Sequence, residues 1–92
     1  MQNPKKLPVM KTLYLKNEYE DGTVYFKIDR IENPEDEYIY DATEIMIEEE
    51  MITKDEYELT EEDLQEMYED GFEIMPAGEY EEADRRHQSL EL

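Results

Sequence analysis

The distribution of charge along the chain constrains the fold more than any other feature of the sequence. Residues 31–84 hold 23 acids and one base, Lys54, so this stretch carries a charge of −22. Residues 1–30 hold six bases against four acids, and residues 85–92 hold two arginines against one acid. A net charge of roughly 2 to 8 in magnitude is ample for the solubility of a small domain, and any excess opposes compaction by self-repulsion. Two interpretations follow: an acidic face that is merely solvated, or an acidic surface that has a function.

The apolar content sets how much of the chain can fold. Ninety-two residues allow one small domain. Leu, Ile, Val and Phe number only 18, a level typical of disordered chains at this charge, but eight tyrosines and six methionines raise the large apolar side chains to 32. We therefore expect a flexible N-terminus at 1–10, one acidic α+β domain at 11–76, and a disordered tail at 77–92.

The residue inventory argues against an enzyme and against a cofactor. The chain has no cysteine, and its single histidine, His87, and single serine, Ser89, both lie in the predicted tail. A catalytic arrangement of nucleophile and base therefore lacks members on a rigid element. Two Asp-Gly steps could mark EF-hand loops, but aligning Gly22 at loop position six puts Tyr19 at position three and Ile28 at position twelve. We expect no specific metal site.

The same inventory limits location and ligands. A sequence pI of about 4.1 excludes a protein that holds nucleic acid through its own basic surface. No apolar run approaches 18 residues, and the N-terminus lacks the apolar core of a signal peptide. The sequence predicts a cytoplasmic protein that does not bind membranes.

The clearest local pattern is a β-hairpin. Residues 11–19 and 23–31 alternate on either side of Asp21-Gly22, a dipeptide suited to a type I′ turn. In that register Tyr19 faces Val24 and Leu15 faces Ile28. One face of the hairpin then collects Leu13, Leu15, Tyr19, Val24, Phe26 and Ile28, and is predicted to be the core face.

Further elements follow the hairpin. After the Asn33-Pro34 turn signal, residues 37–41 alternate as a short strand. Residues 43–52 fit either a strand or a helix, and we favour a strand as far as Glu48. Another short strand is predicted at 72–75.

A single helix is predicted at about 60–70. Thr60 is a good N-cap, acids occupy the first turn, and Gly71 is a suitable terminating residue. Together these elements predict an α+β fold: a small antiparallel sheet built on the hairpin at 11–31, one helix, and mobile termini.

The helix keeps charges that hinder its own folding. Glu62, Glu66 and Asp70 stand four residues apart, and each like-charge pair at that spacing costs roughly 0.2 to 0.5 kcal/mol. Lysines that would relieve the repulsion are missing, and function is one explanation. Duplex DNA carries one negative charge per about 1.7 Å of axis, so 23 carboxylates match roughly 39 Å of duplex.

In size and charge pattern, the block from Ile31 to Asp84 resembles the small acidic DNA-mimic inhibitors of bacteriophages and mobile elements. The resemblance is to a class and includes no sequence motif. It implies an inhibitor that occludes a DNA-binding cleft without catalysis and without a cofactor. The implied partner is a basic DNA-binding protein of the host bacterial cytoplasm: a Cas effector, a restriction enzyme, a nucleoid protein or a repair protein.

On this interpretation ten carboxylates stand in for phosphates, and Tyr40 and Tyr57 supply apolar contacts. The carboxylates are Glu44, Glu48, Glu49, Glu50, Asp55, Glu58, Glu62, Glu66, Glu69 and Asp70. The protein would act as a monomer or homodimer. The alternative is an acidic interaction module, such as an antitoxin, adaptor or RNA-polymerase-binding factor, in which an apolar patch carries specificity.

Overall fold

The computed structural model describes residues 9–31, 38–49 and 51–90. Predictions that concern residues 1–8, the Asn33-Pro34 turn, Glu50 and the last two residues lie outside these ranges. The elements in chain order are β1 (Val9–Tyr19), β2 (Gly22–Ile31), β3 (Tyr38–Glu48), β4 (Met51–Thr60), α1 (Glu61–Glu69), β5 (Glu73–Ile74) and α2 (Ala77–Leu90). The strands form one antiparallel sheet in the order β4-β3-β2-β1-β5. The fold is therefore α+β with a small antiparallel sheet, as the sequence predicted.

One helix packs on each face of the sheet. Successive side chains of a strand point to opposite faces. Phe26 of β2 packs in a cluster with Leu64 of α1, whereas its neighbour Tyr25 packs in a second cluster with Tyr80 of α2. We call these the α1 face and the α2 face. The buried core of the α1 face consists of Leu15, Val24, Phe26, Ile28, Tyr40, Ala42 and Leu64.

The predicted hairpin is present, but its turn lies one residue earlier than predicted and its pairing register differs by two residues. The turn consists of Glu20 and Asp21, so that Tyr19 pairs with Gly22 and Leu15 pairs with Phe26. The predicted core face is confirmed except at Tyr19, which is 54% exposed, because a shift of two residues leaves the alternation of side chains unchanged.

Close approach of the next strand explains where Gly22 lies. A Cβ atom at Gly22 would lie 2.2 Å from the backbone oxygen of Ile47 in β3. Glycine is therefore required where β2 begins beside β3, rather than for a positive φ in the turn.

The segment that was ambiguous between strand and helix is a strand as far as Glu48, as favoured above. It continues the short strand predicted at 37–41, so that β3 is one strand of eleven residues. The sequence did not predict β4, in which residues 54–58 are all exposed. Its strand conformation comes from pairing with β3, not from an apolar alternation of its own.

The predicted helix is confirmed as α1. The Thr60 hydroxyl accepts a hydrogen bond from the backbone of Asp63 at 3.2 Å, and the Asp63 carboxylate accepts one from the backbone of Thr60 at 2.9 Å. This reciprocal capping box satisfies two amides at the start of the helix. Gly71 follows the helix with a φ of 107°, a conformation that favours glycine. The short strand predicted at 72–75 is present as β5.

The prediction of a disordered tail at 77–92 is wrong for the residues that form α2. Tyr80 and Ala83 bury against Ile45 and Met75 on the α2 face, and the rings of Tyr14 and Tyr80 lie 5.8 Å apart. Two ion pairs also hold α2 to the sheet: Lys16 with Glu79 at 2.8 Å and Lys54 with Asp84 at 2.9 Å. The apolar positions are too few among charged neighbours to indicate this helix without its partners.

Neither of the two helices described has the length and apolarity needed to cross a membrane.

Candidate acidic binding groove

An open groove crosses the α1 face of the sheet beside α1. It comprises adjoining cavities that share Phe26, Glu44 and Met67, one of which has a volume of about 560 Å³. A third cavity continues from it along Asp21 and Glu48 towards the turn after β3. We call these connected cavities the acidic groove.

Carboxylates dominate the polar lining of the acidic groove. They are Asp21, Glu44, Glu48, Glu49, Asp63, Glu66 and Asp70. Among the residues that the structure describes, no lysine or arginine lines these cavities. The groove is therefore a surface of uncompensated negative charge.

Aromatic and thioether side chains form the floor of the groove. The ring of Phe26 lies edge-on to Phe72 at 5.5 Å and tilted to Tyr57 at 6.4 Å. Met46 and Met67 complete this surface. Methionine is flexible and polarizable, so such a floor can adapt to different apolar groups.

Large apolar side chains are also exposed around the groove. Tyr57 is 45% exposed, Tyr19 54% and Met51 61%. Each of them lines one of the cavities. A partner that enters the groove would therefore meet apolar surface as well as charge.

Glu44 lines two of the three cavities of the groove. Its Cα partners across the sheet are Phe26 on β2 and Asp55 on β4. Like charges directly opposite each other destabilise an antiparallel pair. Burial raises the pKa of the Glu44 carboxyl, the charge of Asp55 raises it further, and a hydrogen bond from Tyr57 opposes both effects.

Tyr57 couples to the same carboxylate. Its hydroxyl donates to Glu44 Oε1 at 3.4 Å. The negative charge of Glu44 is the largest cause that raises the pKa of the Tyr57 hydroxyl, followed by burial and by the charge of Asp55. The hydroxyl therefore stays protonated and remains a hydrogen-bond donor inside the groove.

The α2 face is also acidic, but its charges have different surroundings. Asp29, Asp41 and Glu58 form a cross-strand row over β2, β3 and β4. Burial raises the pKa of Asp41, and the charges of Glu58 and Asp29 add to this effect. On the same face Lys16 and Lys54 pair with carboxylates of α2. Carboxylates thus occupy both faces, and the ion pairs of Lys16 and Lys54 with α2 lie on the α2 face.

Most of the residues predicted to contact a partner lie on the α1 face or on α1. Those that line the groove are Glu44, Glu48, Glu49, Glu66, Asp70 and Tyr57. Asp55 lies on the same face opposite Glu44. Glu62 and Glu69 are exposed on α1 but do not line these cavities.

Three predicted residues are buried, lie on the α2 face or fall outside the described chain. Tyr40 is only 6% exposed, and its hydroxyl donates to Glu61 at 2.5 Å. Glu58 follows Tyr57 on β4, so its side chain points to the opposite face of the sheet. It therefore lies on the α2 face, where it pairs with Asp41. Glu50 falls outside the described residues.

Sequence reasoning missed Asp21, Asp63 and the apolar floor. The sequence places Asp21 in the turn of the hairpin and Asp63 among the acids of the first helical turn, and both residues occupy those places while also lining the groove. The alternation of Phe26 and Met46 on β2 and β3 could have placed them on one face. Their position beside Met67 of α1 requires the tertiary structure.

No group of three or more His, Asp or Glu side chains in the described ranges is arranged to hold a metal ion. No protein-family model, curated protein or solved structure matches the chain. Any functional conclusion must therefore come from the groove itself.

Proposed function

We propose that the protein is a DNA-mimic inhibitor that binds the nucleic-acid cleft of a basic protein through the acidic groove. The target class is a host DNA-binding protein such as a Cas effector, a restriction enzyme, a nucleoid protein or a repair protein, in a bacterial cytoplasm. One observation carries this proposal: seven carboxylates line a groove that has no lysine or arginine among the described residues of its lining.

The energetic cost of this arrangement favours a function over simple solvation. Glu44 and Asp55 oppose each other directly across β3 and β4, which destabilises the sheet. On the α2 face Lys16 and Lys54 form ion pairs with acids, which shows that strands of this sheet can hold lysine side chains. Like charges also face each other on the α2 face, in the row of Asp29, Asp41 and Glu58, but lysines of the sheet pair with other carboxylates on that face. The groove keeps its repulsion without a lysine or arginine among the described residues of its lining, and such a departure from the usual agreement of local and global preferences is typical of a functional site.

The size of the molecule fits the length of duplex that its charge would replace. The principal-axis extents are 40, 34 and 19 Å, and the long one is close to the roughly 39 Å of duplex that 23 carboxylates match. Because acids occupy both faces, the proposed mimicry concerns charge per length and its display in the groove. It does not require a copy of the two phosphate backbones.

A second candidate function is an acidic interaction module whose apolar patch carries specificity. The observation that favours it is the exposure of Tyr19, Met51 and Tyr57 around the groove. Salt separates the two functions, because charge pairing at a surface is screened whereas apolar contact is not. Binding that survives high salt and is not competed by duplex DNA would support the interaction module.

The test is displacement of labelled duplex DNA from purified proteins of the four target classes, measured in low and in high salt. Glu44→Gln, Glu48→Gln and Glu66→Gln together remove three groove charges. The matched control removes three exposed charges outside the groove with Glu73→Gln, Glu81→Gln and Glu82→Gln. Both variants carry −16, since three of the 19 net charges are removed.

The proposal requires that the native chain displaces DNA from at least one of the four classes of target protein. The groove variant should displace DNA at least tenfold more weakly, and the control variant should differ little from the native chain. An equal loss in both variants would mean that only total charge matters and would reject the groove as the site. Absence of displacement from every class would reject DNA mimicry.

A further inference from the structure

The strand β4 forms one edge of the sheet. Within the described ranges no strand pairs with its outer side, and residues 54–58 are exposed along it. A strand at an edge presents backbone N–H and C=O groups that another extended chain can pair with. At the opposite edge, the two residues of β5 pair only with Leu15 and Lys16 of β1 and so interrupt the outer side of that strand. The ten residues of β4 therefore form the longest continuous unpaired strand edge among the described residues.

The charge of this edge indicates what can pair with it. The segment from Lys54 to Glu58 contains one base and three acids, and its lysine already pairs with Asp84 of α2 at 2.9 Å. Asp55 points to the α1 face, whereas Glu56 and Glu58 point to the α2 face. An added strand would therefore meet carboxylates on both sides of the sheet.

A second copy of the chain is a poor occupant of this edge. Adjacent strands lie about 4.8 Å apart. Two copies of β4, each with a net charge of −2, would therefore lie side by side in molecules that each carry −19. Charged side chains on an edge are a common means of preventing such self-association. The same charges attract a strand of opposite sign.

We propose that β4 is a docking edge for an extended, lysine- or arginine-rich segment of a partner polypeptide, which adds to the sheet as a further strand. Backbone hydrogen bonds would supply affinity, and basic side chains opposite Glu56 and Glu58 would supply specificity. This inference concerns the edge of the sheet and goes beyond the groove, so either site can fail without the other.

The test uses a defined peptide of nine residues in which lysine alternates with valine and threonine stands at both ends. Its control replaces each valine by proline, which keeps the charge but removes the alternate amides that a strand requires. Binding is measured by fluorescence anisotropy, and hydrogen exchange reports which backbone amides of the full chain become protected.

The valine peptide is expected to bind about tenfold more tightly than the proline peptide, in line with strand addition through backbone hydrogen bonds, and to protect amides of Met51–Thr60. Glu56→Gln with Glu58→Gln should weaken it several-fold, whereas Glu48→Gln with Glu66→Gln in the groove should not. Equal binding of the two peptides, protection confined to the groove, or a dimer of the free chain formed through β4 would each overturn the proposal. The DNA-displacement assay is scored separately, so its failure does not affect this result.

Discussion

At the scale of single residues, Glu44 shows how the fold tolerates unfavourable charge. The side chain is partly buried beside Phe26, lies opposite Asp55, and accepts a hydrogen bond from Tyr57. Burial and a like charge both favour the protonated carboxyl, and the tyrosine favours the ionised one. The net result is a raised pKa, which makes stability depend on pH.

We expect the native chain to lose stability as the pH rises above 4.5, the ordinary pKa of Glu44. A carboxyl whose pKa is higher in the folded state binds protons more strongly in the folded protein than in the unfolded chain. The free energy of unfolding therefore falls as the pH rises from the unfolded-state pKa through the folded-state pKa. Glu44→Gln should make the decline shallower in thermal melts between pH 4.5 and 7. Asp55→Asn should do so less, because burial is the larger cause. A slope as steep in Glu44→Gln as in the native chain would contradict this.

At the scale of elements, each helix is tied to its own face of the sheet by different means. Helix α1 has a complete N-terminal capping box, but its last turn contains no base. Helix α2 depends on Tyr80, on Ala83 and on two ion pairs with lysines of the sheet. We therefore expect removal of acids to stabilise α1 and loss of its buried contacts to release α2.

Replacing Glu62 and Glu66 by Gln and Asp70 by Asn should stabilise the protein and weaken partner binding. The change relieves two like-charge pairs at about 0.2 to 0.5 kcal/mol each, and the lost interaction of Glu62 with the helix dipole offsets part of this gain. Urea unfolding measures the stability, and DNA displacement measures the binding. If both increase, α1 is not part of the contact surface.

The charge-matched control for that variant is Glu73→Gln with Glu81→Gln and Glu82→Gln. Glu81 and Glu82 stand four residues before Arg85 and Arg86, which is the favourable order of opposite charges on a helix. Their replacement should give no comparable gain in the free energy of unfolding.

Tyr80→Ala should release α2 from the sheet. Truncation of a large buried aromatic side chain costs about 3 to 5 kcal/mol, and Tyr80 packs against Tyr14 and Ile45. We expect a loss of helical circular dichroism and a lower midpoint of thermal unfolding. Glu81→Ala, at an exposed position of the same helix, should retain both. A helical signal unchanged by Tyr80→Ala would show that α2 does not depend on this contact.

At the scale of the whole molecule, the net charge opposes stability. The chain carries −19 on a body only 19 Å thick along its shortest axis, so its acids repel one another across the whole structure. Added salt shortens the screening length from about 30 Å at 0.01 M to about 3 Å at 1 M. Long-range repulsion should therefore weaken more than the close ion pairs of Lys16 and Lys54.

We expect the midpoint of thermal unfolding to rise with sodium chloride between 0.01 and 1 M. The groove variant with three fewer charges should start higher and rise less, because it has less repulsion to screen. Sucrose, which stabilises without screening charge, serves as the control and should raise both proteins alike. A midpoint that falls as salt increases would show that attractive ion pairs outweigh the repulsion.

The sequence was sufficient where local chemistry decides the structure. Thr60, Asp63 and Gly71 define α1 through capping and backbone preferences that do not depend on the rest of the chain. The hairpin face was predictable even with a wrong turn, because an error of two residues preserves alternation. The register itself depended on the contact between Gly22 and β3, which has no local signal.

The sequence was insufficient where a neighbour decides the structure. Residues 54–58 have no apolar alternation and become a strand by pairing with β3. Tyr80 and Ala83 indicate a helix only once Ile45 and Met75 offer them a surface. The acids of the groove could be named from the charge block, but their apolar floor is formed by side chains of separate elements, Phe26 of β2 and Met67 of α1.

The order of strands has a consequence for how the chain is made. Each of β2, β3 and β4 pairs with the strand that precedes it in sequence. Adding each of these strands to the sheet therefore closes only a short loop. During synthesis the hairpin can form as soon as β2 leaves the ribosome, before most of the acidic residues have emerged. Later strands then have a finished template beside them. The most strongly charged half of the polypeptide therefore never has to begin folding alone.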